Sequence, residues 1–442
     1  DSFKRLLFPS VENEVFNLKL EEAEQEAIRV FSVNLRNLLL ASPAGRKVIL
    51  GIDPGFRTGC KLVVIGTQGD FICHQAVFPL EPHNRKAEAE KILLELIKRH
   101  AVELIAIGNG TASKETVQFV RDTVRTHDLP VQPVVVSEAG ASVYSASEQA
   151  GMEFPDLDVT VRGAVSIARR LQDPLAELVK IDPRSIGVGQ YQHDVNQKGL
   201  KHSLDMTVES CVNHVGVQLN TASVELLSYV SGIGQAVALN IVRFRSENGP
   251  IKNRKQLLKV PKLGPRAFEQ CAGFLRIRDS DNPLDNSAIH PETYQLVEKI
   301  AQDLGCRTPD LIGRDLTPLL NLNKYVTQEI GMQTLNDIAA ELLKPGLDPR
   351  SEFTSVDFSD EINSLSDLKE GMIIEGVVTN VTGFGAFVDI GVHQDGLVHI
   401  SKLAKRFVRN PSEIVAAGDR ITVRVLLVNL ELKRISLERV EQ

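Results

Sequence analysis

The apolar pattern changes its period three times along the chain, and each change restricts what the flanking residues can build. In LKLEEAEQEAIRVFSVNLRNLLLA, Ala23, Ile28, Phe31, Leu35 and Leu38–Leu40 recur at three- and four-residue spacing without Gly or Pro, so residues 1–46 are expected to form a helical lead-in. At Arg46 the pattern turns to strands. KVILGIDPG, CKLVVIG and FICHQAVF are separated by turn-forming Gly, Asp and Arg. A helix (RKAEAEKILLELIKRH), a strand (VELIAIGNG), a helix (SKETVQFVRDTVRTH) and a strand (VQPVVVS) follow, then helical segments to about Ile181. The order βββαβαβα is an α/β pattern with mixed sheet connections and fits one domain over 47–181. Residues 182–218 read as a loop leading into a helix. Two similar helix–turn–helix units fill 219–278, and 279–345 reads as a further helical segment broken at Gly305, Gly313, Pro318 and Gly331. KPGLDPR opens a linker over 346–367, after which 368–442 alternates in short strands, the pattern of a small β-barrel. The expected fold class is multidomain: α/β, then α, then β.

Composition narrows the function. A chain of 442 residues suggests about three domains. With 50 Lys+Arg against 57 Asp+Glu it is no basic tail protein. It has no run of 18 apolar residues and no charged-then-apolar leader, so neither a membrane span nor secretion is expected, and the expected location is cytoplasmic. Cys60, Cys73, Cys211, Cys271 and Cys306 are scattered and never form C-x-x-C, which argues against a disulfide framework and a structural zinc. A Walker loop, a nucleophile elbow and metal-spaced His are all missing, so no cofactor and no metal are expected.

Charge is distributed unevenly. Between 220 and 278, ten Lys or Arg (243, 245, 252, 254, 255, 259, 262, 266, 276, 278) face only Glu225, Glu247 and Glu269, the footprint of a phosphate-binding face. LLSYVSGIGQAVALNIVRFR places a Gly232-Ile233-Gly234 hairpin between two apolar helices. Glycine admits left-handed dihedrals, and the amides opening the second helix can then donate to a phosphate oxygen. The second copy, QLLKVPKLGPRAFEQCAGFL, keeps Gly264 but has Lys262 in place of Gly232, so it is expected to work through Lys262 and Arg266. The pair resembles the tandem helix-hairpin-helix family, which grips the nucleic-acid backbone and reads little sequence.

In the terminal segment, GMIIEGVVTNVTGFGAFVDIGVHQDGLVHISKL and GDRITVRVLLVNLELKRISLERV alternate over five strand-like runs. Phe384 and Phe387 flank small Gly385 and Ala386, expected to leave a groove between two rings on which unpaired bases stack. Lys402, Lys405, Arg406 and Arg409 form a basic run without an acid, suited to backbone phosphates. The segment resembles the S1 RNA-binding domain, an oligonucleotide-binding barrel. The resemblance implies Phe384, Phe387 and His399 on the binding face with Arg434 at its edge, and Asn429 stands where many members have Asp.

KVILGIDPGFRTGCKLVVI resembles the first hairpin of ribonuclease-H-like domains of the YqgF and Holliday-junction-resolvase branch. Two-metal cleavage needs carboxylates converging at strand ends. Asp53 ends the first strand, Glu138 the fifth, and Asp156 and Asp158 precede a helix, but Asn109 stands where the fourth strand should bring an acid. A neutral amide binds a hard divalent cation weakly, so these four are expected to be remnants of a degenerate centre. Arg57 and Lys61 lie near the same strand end and suit a phosphate.

RLLFPSVENE, ILGIDPGFRTGCK, AIGNGTASKE, IGVGQYQHDVNQ, QLNTAS, NPLDNSAIHPE and IGMQTLNDIAAELLKPGLDPR together resemble the bacterial Tex family of transcription accessory proteins over essentially the full chain. Members carry a long N-terminal helical region that this sequence lacks. The resemblance implies nucleic-acid binding linked to transcription, distant kinship with a eukaryotic elongation factor and histone chaperone, and an α/β domain without catalysis. The expected molecule is a monomeric, non-enzymatic binder of single-stranded RNA and/or DNA. The alternatives are a divalent-metal nuclease or resolvase centred on Asp53, and a scaffold that docks RNA polymerase or the ribosome.

Overall fold

Strands that are apolar on both faces belong in the middle of a covered sheet, and ILGID and LIAIG are placed there. The computed structural model describes residues 2–440 apart from 190, 317–321, 328–329, 347, 351–352, 354–367, 391, 393, 417–418 and 430–433. The expected linker 346–367 and the break at Pro318 therefore fall largely or wholly outside the described residues. The chain divides into two units, Asp1–Thr207 with Glu352–Gln442, and Val208–Ser351.

Helix α1 (Phe8–Leu39) opens the first unit, entered through a π-helical turn at Phe3–Leu7. It buries Phe31, Asn34, Leu35 and Leu39 near its C-terminal end, while residues 2–23 are exposed all round. Then come β1 (Ile49–Asp53), β2 (Cys60–Ile65), β3 (Phe71–Val77), α2 (Lys86–His100), β4 (Leu104–Gly108), α3 (Ser113–Thr126) and β5 (Gln132–Val136). The sheet order is β3-β2-β1-β4-β5. The pairs β1–β2 and β2–β3 are antiparallel, while β1–β4 and β4–β5 are parallel. Alternation along β1 and β4 sends Leu50, Ile52, Ile105 and Ile107 to one face, where they pack with Leu93 and Ile97 of α2 and Val120 of α3. Ile49, Leu104 and Ala106 face the other side. That side is covered by α6 (Val159–Gln172), reached through α4 (Ala141–Ser145) and α5 (Glu148–Glu153) and followed by α7 (Pro174–Leu178). The helix comes close because β1 carries Gly51, where a Cβ would stand 2.7 Å from the Cβ of Ala168.

Helix α8 (Gln197–Val215) leads into the second unit. There a two-residue parallel ladder joins β6 (Val217–Gln218) to β7 (Leu275–Arg276), with α9 (Val224–Ser228), α10 (Gln235–Asn248), a 3-10 turn (Arg254–Lys259) and α11 (Pro265–Cys271) between them. Asn220 fastens the link between the two hairpin copies. Its amide donates to Ile251 O and accepts from Ile251 N, both at 2.9 Å. The region 279–345 holds α12 (Tyr294–Asp303) and α13 (Met332–Leu343) on a core of Leu284, Val297, Ile300, Leu335, Ile338 and Leu342.

The last segment closes into a barrel of β8 (Ile373–Thr382), β9 (Gly385–Asp389), β10 (Gly396–His399), β11 (Arg420–Asn429) and β12 (Arg434–Arg439), ordered β10-β12-β11-β8-β9. Its inward residues include Val378, Ala386, Val388, Val398, Val423, Val425, Ile435 and Leu437.

Candidate nucleic-acid interface

The two hairpin turns share one backbone geometry. In the first, Val230 N donates to Leu227 O at 3.0 Å, Ile233 N to Val230 O at 2.9 Å and Ala238 N to Gly234 O at 3.0 Å. In the second, Val260 N donates to Leu257 O at 2.9 Å, Leu263 N to Val260 O at 3.2 Å and Phe268 N to Gly264 O at 3.0 Å. Gly232 has φ +81°, and Lys262 holds the equivalent left-handed position at φ +66°. Gly234 (φ −84°, ψ 168°) and Gly264 (φ −84°, ψ 173°) then start α10 and α11 with no side-chain cap. The first turn requires glycine for a second reason: a Cβ at 232 would stand 2.8 Å from Gln270 Cβ.

Gly232, Gly234, Lys262, Gly264 and Arg266 are exposed. Ile233, expected among the binding residues, is only 3% exposed. Its side chain, like that of Leu263, anchors the turn in the core. The ten cations also divide. Arg254 is 1% exposed and donates to Leu275 O (2.9 Å), Ile289 O (2.7 Å), Ser287 O (2.5 Å) and the Tyr294 hydroxyl (2.7 Å). Arg276 is buried, and Arg245 is half-buried with a bond to Leu219 O at 2.7 Å. Burial disfavours the charged form of both Arg245 and Arg276. Part of the basic enrichment is therefore structural, and the remaining seven cations, Lys262 and Arg266 among them, lie on the surface.

On the barrel, register places the expected aromatic residues together. Phe387 pairs with Leu397, Leu397 with Ser436, and Gly385 with His399. Phe387, His399, Ser436 and Arg434 thus share the outward alternation. Phe384 is 50% exposed and meets Phe387 edge to face, with ring centroids 6.0 Å apart at 87°. No groove separates the rings, contrary to expectation, because alternation turns Ala386 into the core. His399 caps a 3-10 turn (Ile400–Lys402), its Nδ1 accepting from Ser401 N at 3.3 Å. The basic run does meet an acid: Glu438 of β12 lies 3.1 Å from Lys402 Nζ and 3.7 Å from Arg424. Lys405, Arg406 and Arg409 are exposed.

In the α/β domain, the charge of Glu138 reaches Asp53. Burial first, then the Glu138 charge, raises Asp53 to about 6 against the opposing pull of Lys61. Glu138 is also raised by burial, with the Gly110 amide and Arg170 opposing. Gly108 and Gly110 cradle it: a Cβ on Gly110 would fall on Glu138 Oε1, and one on Gly108 would stand 2.6 Å from Oε2. Asn109 is structural as well, its Oδ1 accepting from Glu138 N at 3.0 Å. Asp156 and Asp158 are exposed, and Asp158 is committed to capping α6, accepting from Thr160 N at 2.9 Å. The Thr160 hydroxyl first, and then that backbone bond, hold its carboxyl below the usual range. The residue that α6 presents to Asp53 is Gly163. Lys61 folds back onto Thr58 O and Gly59 O, while Arg57 is exposed. Among the described residues, no three His, Cys, Asp or Glu side chains converge to hold a metal ion, and no helix is long and apolar enough to cross a membrane.

Four family models match: the Tex protein YqgF-like domain over 47–172, a helix-hairpin-helix motif over 212–276, an HHH domain over 282–350 and the S1 RNA binding domain over 367–439. Protein tex of Bordetella pertussis is 56% identical over 98% of this chain and 55% of its own length. The transcriptional accessory protein Tex of Neisseria gonorrhoeae is 54% identical over 99% of this chain and 57% of its own length. The chain belongs to the Tex family. It spans a little over half the length of those bacterial relatives. A human relative, S1 RNA-binding domain-containing protein 1, is 38% identical over 99% of this chain and 50% of its own length.

Within the HHH domain match over 282–350 lies a helix start that the sequence did not single out. Gly331 starts α13 without a side-chain cap at φ −84° and ψ 171°, the dihedrals of Gly234 and Gly264, and Leu335 N donates to Gly331 O at 3.2 Å. Ile330-Gly331 before an apolar-periodic helix was the available signal.

Proposed function

We propose that this Tex-family chain is a nucleic-acid-binding factor in transcription that holds the phosphate backbone at its two basic hairpins and a single strand on the outer face of its barrel. The observation that carries the reading is the repeated turn. Two segments of different sequence adopt the same dihedrals, and one does so with a lysine held at φ +66°. A non-glycine residue in that region costs about 1–2 kcal/mol, and here the cost leaves a cation on the surface beside an uncapped helix start. The uncapped amides at Gly234 suit an anionic oxygen, and Lys262 and Arg266 supply charge at the second turn. On the barrel, Phe384 offers an exposed ring to a base, with Phe387, His399 and Arg434 beside it. The names of the relatives, a transcriptional accessory protein and an S1 RNA-binding protein, agree with this reading.

The α/β domain is proposed to be catalytically degenerate, with Asp53 and Glu138 as the surviving pair. A divalent-metal nuclease centred on Asp53 is the second reading, favoured only by the Glu138 charge acting on Asp53. The first reading is tested by reversing charge at Lys262 and Arg266 together. Binding of single- and double-stranded oligonucleotides should weaken at least tenfold for all sequences alike, and the dependence of log affinity on log salt should become shallower by about 2. A loss confined to one sequence would contradict backbone gripping.

A further inference from the structure

Phe407 is 88% exposed, more than any other large apolar side chain among the described residues. Its exposure is not that of a loose end. Val408 beside it and Leu403 before it are buried, and the loop is bounded by the Ile400–Lys402 turn and by a second 3-10 turn at Pro411–Glu413. The root of the loop is tied to the proposed base-stacking face: Ile400 N donates to Phe384 O at 2.8 Å, and His399 caps the turn that follows. Seven residues separate Ile400 from Phe407, a reach of at most about 25 Å. Its neighbours in sequence are cationic. Lys405 and Arg406 precede it, Arg409 follows, all three are exposed, and no acidic residue occurs between Asp395 and Glu413. An exposed aromatic ring among cations, without an acid in its segment, matches what a base and its flanking phosphates need.

We infer that Phe407 is a second stacking platform, for a base of the same strand that lies on Phe384, with Arg406 and Arg409 meeting the phosphates on either side. The inference rests on the proposed single-strand binding and extends its footprint from the barrel face onto this loop. The absence of Trp from the chain gives a direct test. In the full chain, Phe407→Trp is the sole indole. Its emission should be quenched by an oligouridine or oligoadenosine of about 16 nucleotides, the upper footprint of one such barrel. Quenching should saturate together with the anisotropy of a labelled copy of the same oligonucleotide. Phe407→Ala and Phe407→Leu should each weaken binding about tenfold, with melting temperatures unchanged because the ring is exposed. Wild-type affinity in both variants, with an emission that ignores bound oligonucleotide, would overturn the inference and assign the ring to a protein partner. No binding by the wild-type chain at all would overturn the parent reading, and this one with it.

Discussion

Asp53 stores an electrostatic cost that the pH exposes. Its ordinary value is 3.8 and the fold raises it to about 6, chiefly by burial. Between those values the folded chain holds a proton that the unfolded chain has released, so stability falls as pH rises through that window. Above about pH 6 the whole cost is present, on the order of 3 kcal/mol. Asp53→Asn should therefore raise the melting temperature at pH 7.5 and leave it unchanged at pH 4; a loss at both would contradict the account. Arg254 is the opposite case, a buried cation whose hydrogen bonds go to three carbonyls and a phenol. Its backbone N–H also donates to Asp285, which in turn accepts from Tyr294. Lysine cannot reproduce that fork, so Arg254→Lys should cost about 2–4 kcal/mol in urea unfolding, and a loss below about 0.5 kcal/mol would be inconsistent with this clasp. Neither role was legible in the sequence. An arginine in a basic stretch reads as surface charge, and only the fold shows that NPLDNSAIHPE supplies two of the three carbonyls that receive it.

Among the elements, the hairpin turns separate stability from binding. Lys262 occupies a conformation that glycine adopts without strain, so Lys262→Gly should stabilise the chain by about 0.5–1 kcal/mol while weakening oligonucleotide binding severalfold. A variant that is both less stable and fully competent to bind would contradict the assignment. The two hairpins could be read from sequence because glycine and charge coincide there. The helix start at Gly331 shares their dihedrals, but no Lys or Arg occurs between Lys324 and Lys344, so charge does not point to it. The barrel shows a different boundary. Period-two alternation located its strands, whereas the Glu438 contact with Lys402 joins residues far apart in sequence and depends on closure of β12 beside the turn after β10. In the α/β sheet, GNG after β4 read as a lost acid. In the fold it is the cradle for Glu138 and the tie that positions that residue's backbone.

Across the molecule, the domain types followed from the changes of apolar period, since each period fixes which face can be buried. The spatial grouping of charges did not, because it depends on which cations the core consumes. A chain with formal charge −7 binds an anionic polymer only if its cations are segregated, and the exposed lysines and arginines of the hairpins and of the 405–409 loop provide that segregation. The most direct measurement follows retention and cleavage in the same samples. Purified chain would be incubated with labelled single- and double-stranded RNA and DNA and a four-way junction, with Mg²⁺ or Mn²⁺ present. Retention that falls steeply with salt, with every substrate intact, is the predicted result. Cleavage that disappears in Asp53→Asn would contradict it and make the Asp53–Glu138 pair a working metal centre.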